Sequence, residues 1–204
     1  MTKNFENDCA HCPSGLGLEY PLYDDDLFWV VCDAHPLVQG HILIIPKEHI
    51  PTMGNLSDDA FKKYVDLYKK VKSFINAFYG EVGIFEHGIT GQTVFHAHTH
   101  FSPFSHDTEE IISDKKALRR ISSLEDLKNE FARKQKYLFF ENKNQMWLVD
   151  TKLGFPKFFR DIFANLLSAK ERANWKKARE NQKLMQQFKK DISTLTDNWN
   201  KYYK

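Results

Sequence analysis

The chain has 204 residues, of which 42% are hydrophobic and 14% aromatic, enough to bury a core as one domain with an extension or as two small domains. The formal net charge of +2 gives no reason to expect a nucleic acid or a membrane surface as partner. No stretch approaches the roughly 18 apolar residues of a membrane-spanning helix, and residues 1–8 lack the apolar run of a signal peptide, so we expect a cytoplasmic protein.

The first half of the chain predicts a sheet and one long helix. Ser57 is a suitable helix N-cap, and the apolar stripe that follows it stops at Gly80. Apolar runs predict four strands, over residues 27–32, 41–45, 82–86 and 93–101. Because short loops join consecutive strands, we expect them to pair antiparallel as a meander with the helix on one face, an α+β core.

The second half changes character after Pro103. Residues 105–120 are polar and predict a loop, and Ser122 to Glu125 resembles a capping box that begins a short helix. Residues 137–141 and 146–150 predict a hairpin, and from Pro156 to the end the chain reads as helical. This pattern divides the chain into a core over residues 1–105, a connecting region over 106–150 and a helical C-terminal extension over 151–204.

Three histidines on alternate residues, His96, His98 and His100, are the most informative motif. A period of two matches an extended strand and predicts that the three imidazoles share one face. Imidazole is the side chain whose ordinary pKa lies near neutral pH, so such a row can supply a nucleophile, a proton carrier or a metal ligand. The histidines alone do not choose between a catalytic face and a metal site.

The surrounding residues make the motif specific. Gly40-His41, Pro46-Lys47-Glu48-His49 and the run from Gly91 to His100 together resemble the histidine triad (HIT) family of nucleotide hydrolases and nucleotidyl transferases, over residues 9–105. The resemblance implies the HIT-like antiparallel sheet with a packed helix, a nucleotide substrate and a homodimer. Residues 158–175 resemble, more weakly, a C-terminal extension of some bacterial HIT proteins, which implies a segment that covers the pocket.

The resemblance also implies catalytic roles. His98 is the expected nucleophile, which forms a transient nucleotidyl-imidazole while a backbone carbonyl holds its second ring nitrogen. His100 and His41 are expected to contact the phosphate or the bridging oxygen. Glu86 stands where relatives often carry an amide, and if it faces the leaving group it could act as an acid. No metal is needed for this chemistry.

Three further residues are expected to bind the nucleotide. Asp33 lies at the position where the family binds ribose hydroxyls with an acidic or amide side chain, although it also suits a turn cap. Gln92 and Thr93 offer an amide and a hydroxyl to phosphate oxygens, or are satisfied polar residues at a strand end.

Cys9 and Cys12 have the spacing that lets two thiolates reach one tetrahedral zinc, but a pair is only half of a site. HIT proteins with such a pair imply that His49 and His96 complete it, giving a structural zinc whose four protein ligands leave no position for water. A redox pair or two reduced thiols is the alternative. The three cysteines are an odd number and do not suggest a disulfide framework.

The expected function is hydrolysis at the α-phosphate of a dinucleoside polyphosphate or a nucleoside phosphoramidate. The alternatives are a nucleotidyl transferase or phosphorylase, and a zinc-stabilised nucleotide-binding module without catalysis. A deadenylase of nucleic-acid ends would use the basic final helix, but Glu171, Glu180 and Asp191 interrupt its lysines and favour an ordinary solvated face.

Overall fold

The computed structural model describes residues 9–13 and 15–204, so the expectation about a signal peptide in residues 1–8 lies outside the described part of the chain. The strands are β1 Pro21–Asp24, β2 Phe28–Cys32, β3 Ile42–Pro46, β4 Val82–Glu86, β5 Thr99–Pro103, β6 Leu118–Ile121, β7 Phe139–Asn142 and β8 Gln145–Val149. The helices are α1 Asp58–Tyr79, α2 Thr108–Ile111, α3 Glu125–Lys134, α4 Phe158–Leu166, α5 Lys170–Ala173, α6 Trp175–Ala178 and α7 Gln182–Tyr202.

All eight strands form one antiparallel sheet in the order β1-β2-β3-β5-β4-β7-β8-β6. The predicted α+β class and the C-terminal helical extension are therefore confirmed. Strand β5 lies between β3 and β4, because the long helix α1 connects β3 to β4 and lets β4 skip one position.

Helix α1 begins and ends as the sequence predicts. The Ser57 hydroxyl accepts a hydrogen bond from the Ala60 N–H at 3.4 Å, and Gly80, with φ of 87°, ends the helix in a conformation that favours glycine. Its apolar face, with Tyr64 and Phe74 fully buried, packs on one face of the sheet. This packing forms the main core.

The strand prediction over residues 93–101 is wrong in its first part. Strand β5 begins only at Thr99, and the preceding residues follow a turn in which Gly88 and Gly91 have φ of 49° and 87°. The turn interrupts strand pairing, so the first part of the alternating histidine pattern lies outside the hydrogen-bonded strand β5. His96 therefore lies before the start of β5 and not on a shared strand face with His100.

The region over 105–120 is also more ordered than predicted. It contains α2 and the edge strand β6, whose exposed Arg119 and Arg120 hide its strand character in the sequence. The predicted capping box is absent from α3: the Asp126 carboxylate accepts the N–H groups of Ser122 and Ser123 at 3.1 and 3.3 Å.

The predicted hairpin is present as β7 and β8, and it extends the core sheet at β4 instead of standing apart. Helix α4 covers the sheet face opposite α1, where Phe163 contacts Phe85 and Phe104 at ring-centroid distances of 4.8 and 4.1 Å. This second core holds the beginning of the extension against the sheet. Among the described helices, none is long and apolar enough to cross a membrane.

Candidate active site and cysteine-histidine cluster

A cavity of about 110 Å³ lies between the β-sheet and the C-terminal extension. The core contributes His98 and His100, and the extension contributes three cations. Its charged and titratable lining residues are His11, Asp33, His35, His87, His98, His100, Lys157, Arg160 and Arg179. One carboxylate against three permanent cations gives this cavity a positive balance that suits an anionic ligand.

His98 is held with one ring nitrogen free for chemistry. Its Nδ1 lies 2.7 Å from the carbonyl oxygen of His96, and its ring centroid is 4.9 Å from that of His100. A carbonyl only accepts hydrogen bonds, so we assign the proton to Nδ1 and the lone pair to Nε2. Burial lowers the pKa of His98, which keeps the ring neutral.

His41 and His100 form a second buried pair. The Nε2 of His41 lies 3.0 Å from Nδ1 of His100, and the Leu37 N–H donates to Nδ1 of His41 at 3.1 Å. Because Nδ1 of His41 accepts, we assign its proton to Nε2, which donates to His100 and leaves an N–H on Nε2 of His100. Burial lowers the pKa of His41 to about 4 and that of His100 well below its ordinary value.

Asp33 lines the cavity but is already engaged. Its Oδ2 accepts from Nη1 of Arg160 at 2.9 Å, and its Oδ1 accepts from the His35 N–H at 2.8 Å. Burial alone would raise the pKa of Asp33, but the charge of Arg160 and the hydrogen bonds outweigh it and hold the pKa well below its usual range. Asp33 is therefore ionised and paired with the extension.

Gln92 and Thr93 separate in the structure. Thr93 is exposed and lines the cavity, whereas the Gln92 amide donates to the carbonyl oxygen of Pro51 at 2.8 Å and is not among the lining residues. The Oε1 of Gln92 is buried with no hydrogen-bond partner among the described residues.

Cys9, Cys12, His49 and His96 form a separate cluster beside this cavity, and their ligand atoms all lie within 4.8 Å of one another. Sulfur-to-Nδ1 distances are 3.5 Å for Cys9 and His96, and 3.3 Å for Cys12 and His49. Ligand atoms of a tetrahedral site with Zn–S of about 2.3 Å and Zn–N of about 2.0 Å lie roughly 3.5 Å apart, so the spacing fits.

The second nitrogen of His96 supports the same interpretation. Its Nε2 lies 2.8 Å from the carbonyl oxygen of Pro46, which fixes the proton there and leaves Nδ1 free to bind a metal. Two sulfurs and two imidazole nitrogens are a donor set that zinc accepts. The cysteine and histidine groups thus allow a zinc ion.

Sequence reasoning missed several lining residues. His87 lines the cavity, and its Nε2 accepts from the Phe159 N–H at 3.1 Å, which ties the core to α4. Lys157, Trp175 and Arg179 come from the extension; Trp175 ends the segment expected to cover the pocket, but no motif marks these three residues individually. Their basic and aromatic character was the available signal, but it is shared by many solvated helices.

Glu86 does not take the position beside the leaving group that the sequence allowed. Its carboxylate accepts from the Met53 N–H at 2.8 Å and from the Tyr137 hydroxyl at 2.7 Å, inside the core and away from the cavity lining.

Comparisons with known proteins agree with the motif. A family model described as the HIT domain matches residues 19–106. An uncharacterized HIT-like protein of Borreliella burgdorferi is 35% identical over 105 residues, which cover 47% of this chain and 75% of that protein. The adenylylsulfatase HINT3 of Arabidopsis thaliana is 33% identical over 112 residues, 50% of this chain and 55% of that protein. A bis(5'-adenosyl)-triphosphatase of Dictyostelium discoideum is 25% identical over 131 residues, 60% of this chain and 87% of that protein.

Proposed function

The chain belongs to the histidine triad (HIT) family, and from this premise we propose that it is a nucleotide hydrolase that attacks the α-phosphate of its substrate with His98. The observation that carries the proposal is the bond from Nδ1 of His98 to the His96 carbonyl, 2.7 Å long, beside a cavity rich in cations. It leaves an unprotonated Nε2 for attack on phosphorus. Relatives named as hydrolases of adenylyl compounds support the reaction type.

The reaction has two chemical steps. In the first, the lone pair of His98 Nε2 forms a bond to the α-phosphorus while the bond from phosphorus to the leaving group breaks, and the leaving phosphate departs with that electron pair as its bridging oxygen accepts a hydrogen bond from the Nε2–H of His100. In the second, water forms the new phosphorus–oxygen bond, the phosphorus–nitrogen bond breaks and returns its electron pair to Nε2 of His98, and the proton released from water passes to solvent. His41 supports His100 through its Nε2–H.

Asp33 and Thr93 would bind the nucleotide whose α-phosphate His98 attacks. Each oxygen of Asp33 has one hydrogen-bond partner and can accept a second bond, from a ribose hydroxyl. The Thr93 hydroxyl and the cations Lys157 and Arg179 line the cavity where phosphate oxygens would lie. Gln92 would reach a phosphate only by releasing Pro51.

The leaving group of the substrate would bind in a second cavity beside the first. A second cavity, of about 550 Å³, adjoins the first, and Lys157 and Trp175 line both. Lys176 also lines it, and no aspartate or glutamate does so among the described residues. A leaving group with phosphate and an aromatic base, as in a dinucleoside polyphosphate, matches this lining better than a cationic amine.

Zinc has a structural role in this proposal. Cys9, Cys12, His49 and His96 would hold it with four protein ligands, which leaves no position for water, so it would supply cross-linking and not catalysis. It would fix the backbone at His96, whose carbonyl orients His98.

The test is mass spectrometry of the protein quenched during turnover. The panel contains diadenosine triphosphate, adenosine phosphoramidate and adenylyl sulfate, with His98→Ala and, as matched control, His106→Ala, a partly exposed histidine outside both cavities. We expect AMP and an adduct of AMP mass in the wild type and the control, and neither in His98→Ala.

The other outcomes identify the alternatives. Product formed with inorganic phosphate but not with water indicates a phosphorylase. Nucleotide binding with no product from any compound would leave a binding module and refute hydrolysis. Product without any adduct would refute the nucleotidyl-histidine step.

A further inference from the structure

The extension reaches the catalytic histidines through one buried side chain. Arg160 in α4 is 7% exposed, and its guanidinium donates to Asp33 and to the carbonyl oxygens of His35, Arg172 and Ala173. These bonds hold it in one place between the extension and the loop that follows β2. A cation this buried and this fully bonded is a built part of the fold.

A continuous chain of contacts runs from Arg160 into the site. The guanidinium lies 2.9 Å from Oδ2 of Asp33, and the same oxygen lies 3.5 Å from Nδ1 of His41. Nε2 of His41 then lies 3.0 Å from Nδ1 of His100. Four side chains from distant parts of the chain therefore form one line, with the extension at one end and the cavity at the other.

We propose that Arg160 is a positioning residue: by neutralising Asp33 it keeps the His41–His100 pair in the neutral tautomer that presents the Nε2–H of His100 to the substrate. Two states compete at His41. When Arg160 holds Asp33, Nδ1 of His41 accepts the Leu37 N–H at 3.1 Å, and the proton on Nε2 points to His100.

Without the guanidinium, an unneutralised carboxylate lies 3.5 Å from Nδ1 of His41 and attracts a proton there. His41 then either becomes an imidazolium or reverses its tautomer. Reversal makes Nε2 of His41 an acceptor, so His100 must turn its proton toward His41 and no longer offers an N–H to the leaving group.

The other charged and titratable groups near His41 do not replace Arg160. His98 and His100 face it from the segment before β5 and from β5 itself, and Asp33 faces it from the loop after β2. Neither histidine carries the permanent charge of a guanidinium: Nδ1 of His98 faces the carbonyl oxygen of His96, and Nδ1 of His100 faces Nε2 of His41. Arg160 is the cation that acts on His41 in the described part of the chain.

The test is a charge cycle of Arg160→Gln, Asp33→Asn and the double variant, read by ¹⁵N NMR of the imidazoles with His41→Gln to assign the His41 signals. We expect the wild type to carry its His41 proton on Nε2, with a pKa of about 4. Arg160→Gln should move a proton to Nδ1 and raise the His41 pKa toward or above its ordinary value of about 6.5. The double variant, which lacks both charges, should restore the wild-type state.

Activity gives a second readout, which rests on the proposed function. Arg160→Gln should lower kcat for diadenosine triphosphate by about tenfold or more with little change in KM, and should affect the p-nitrophenyl ester of AMP less, since p-nitrophenolate delocalises its charge into the ring and depends less on a hydrogen bond at the bridging oxygen. When Asp33→Asn is already present, adding Arg160→Gln should change kcat little, which separates the charge effect from binding of ribose by Asp33.

Several outcomes overturn the inference. An unchanged His41 NMR signal in Arg160→Gln overturns it. An equal change in the His41 signal with and without the Asp33→Asn substitution also overturns it, because that result indicates a merely structural role for Arg160. If Arg160→Gln fails to fold, Arg160→Lys keeps a cation beside Asp33 and must keep the wild-type tautomer; a proton on Nδ1 there refutes the proposal. The NMR result stands even if no nucleotide is hydrolysed, so the two proposals fail separately.

Discussion

The cysteine-histidine cluster and the cavity of the candidate active site lie side by side, and each contains part of the histidine motif. The imidazole of His96 approaches the sulfurs of Cys9 and Cys12, whereas His98, two residues later, lines the cavity. Both rings are fixed by a backbone carbonyl, but the bonded nitrogen is Nε2 in His96 and Nδ1 in His98. The two imidazoles thus leave opposite nitrogens free, Nδ1 in His96 and Nε2 in His98, and the position of the bonded carbonyl determines which one.

The largest predicted effect is on His98. His98→Ala should lower kcat/KM by about a thousandfold or more, because the nucleophile is lost, and should leave the thermal midpoint nearly unchanged. His96→Ala should do the reverse, lowering the midpoint while part of the activity remains. Steady-state kinetics and thermal denaturation of the two variants measure this. Equal losses of activity and stability in both variants would contradict the separate roles of His98 in activity and His96 in stability.

The second prediction concerns metal content. The wild type should contain one zinc per chain by elemental analysis, and Cys12→Ser should lose it and fall by about 10 °C in thermal midpoint, since binding of a structural metal adds directly to folding free energy. Cys32→Ser is the matched control, because Cys32 is a buried cysteine outside the cluster. A metal-free wild type, or equal zinc content in both variants, would contradict the assignment.

The smallest predicted effect concerns Glu86, a buried carboxylate that belongs to neither site, and its contribution to stability at different pH values. Burial raises the pKa of Glu86 from 4.5 to about 7, despite its bonds from Met53 and Tyr137. A carboxyl whose pKa is raised on folding stabilises the fold at low pH, and this contribution is lost as the pH rises from about 4.5 to about 7.

The free energy of unfolding of the wild type, relative to Glu86→Gln, should therefore fall over this range by at most about 3 kcal/mol. Urea denaturation at several pH values measures it. Glu109→Gln is the control: a backbone hydrogen bond and Lys115 lower the pKa of this exposed glutamate, so its contribution should not fall as the pH rises. A difference between wild type and Glu86→Gln that is constant with pH would show that Glu86 does not titrate there.

Much of the fold could be predicted because local signals were strong. Ser57 and Gly80 marked both ends of α1, and apolar runs marked β2, β3 and β4. The edge strand β6 was missed, since its Arg119 and Arg120 face solvent and an edge strand needs only one partner. The start of β5 was misplaced, because the alternation of the histidines continues beyond the hydrogen-bonded ladder.

The sequence by itself determined the family, the main sheet and helix, and the set of histidines and cysteines, because these depend on local pattern and on a motif whose spacing is preserved along the chain. Only the tertiary structure decided that Asp33 is paired with Arg160 and that Gln92 bonds to Pro51. Asp33 and Arg160 lie 127 positions apart, and no local periodicity encodes a contact at that separation. Long-range ion pairs are set by how the extension packs on the sheet.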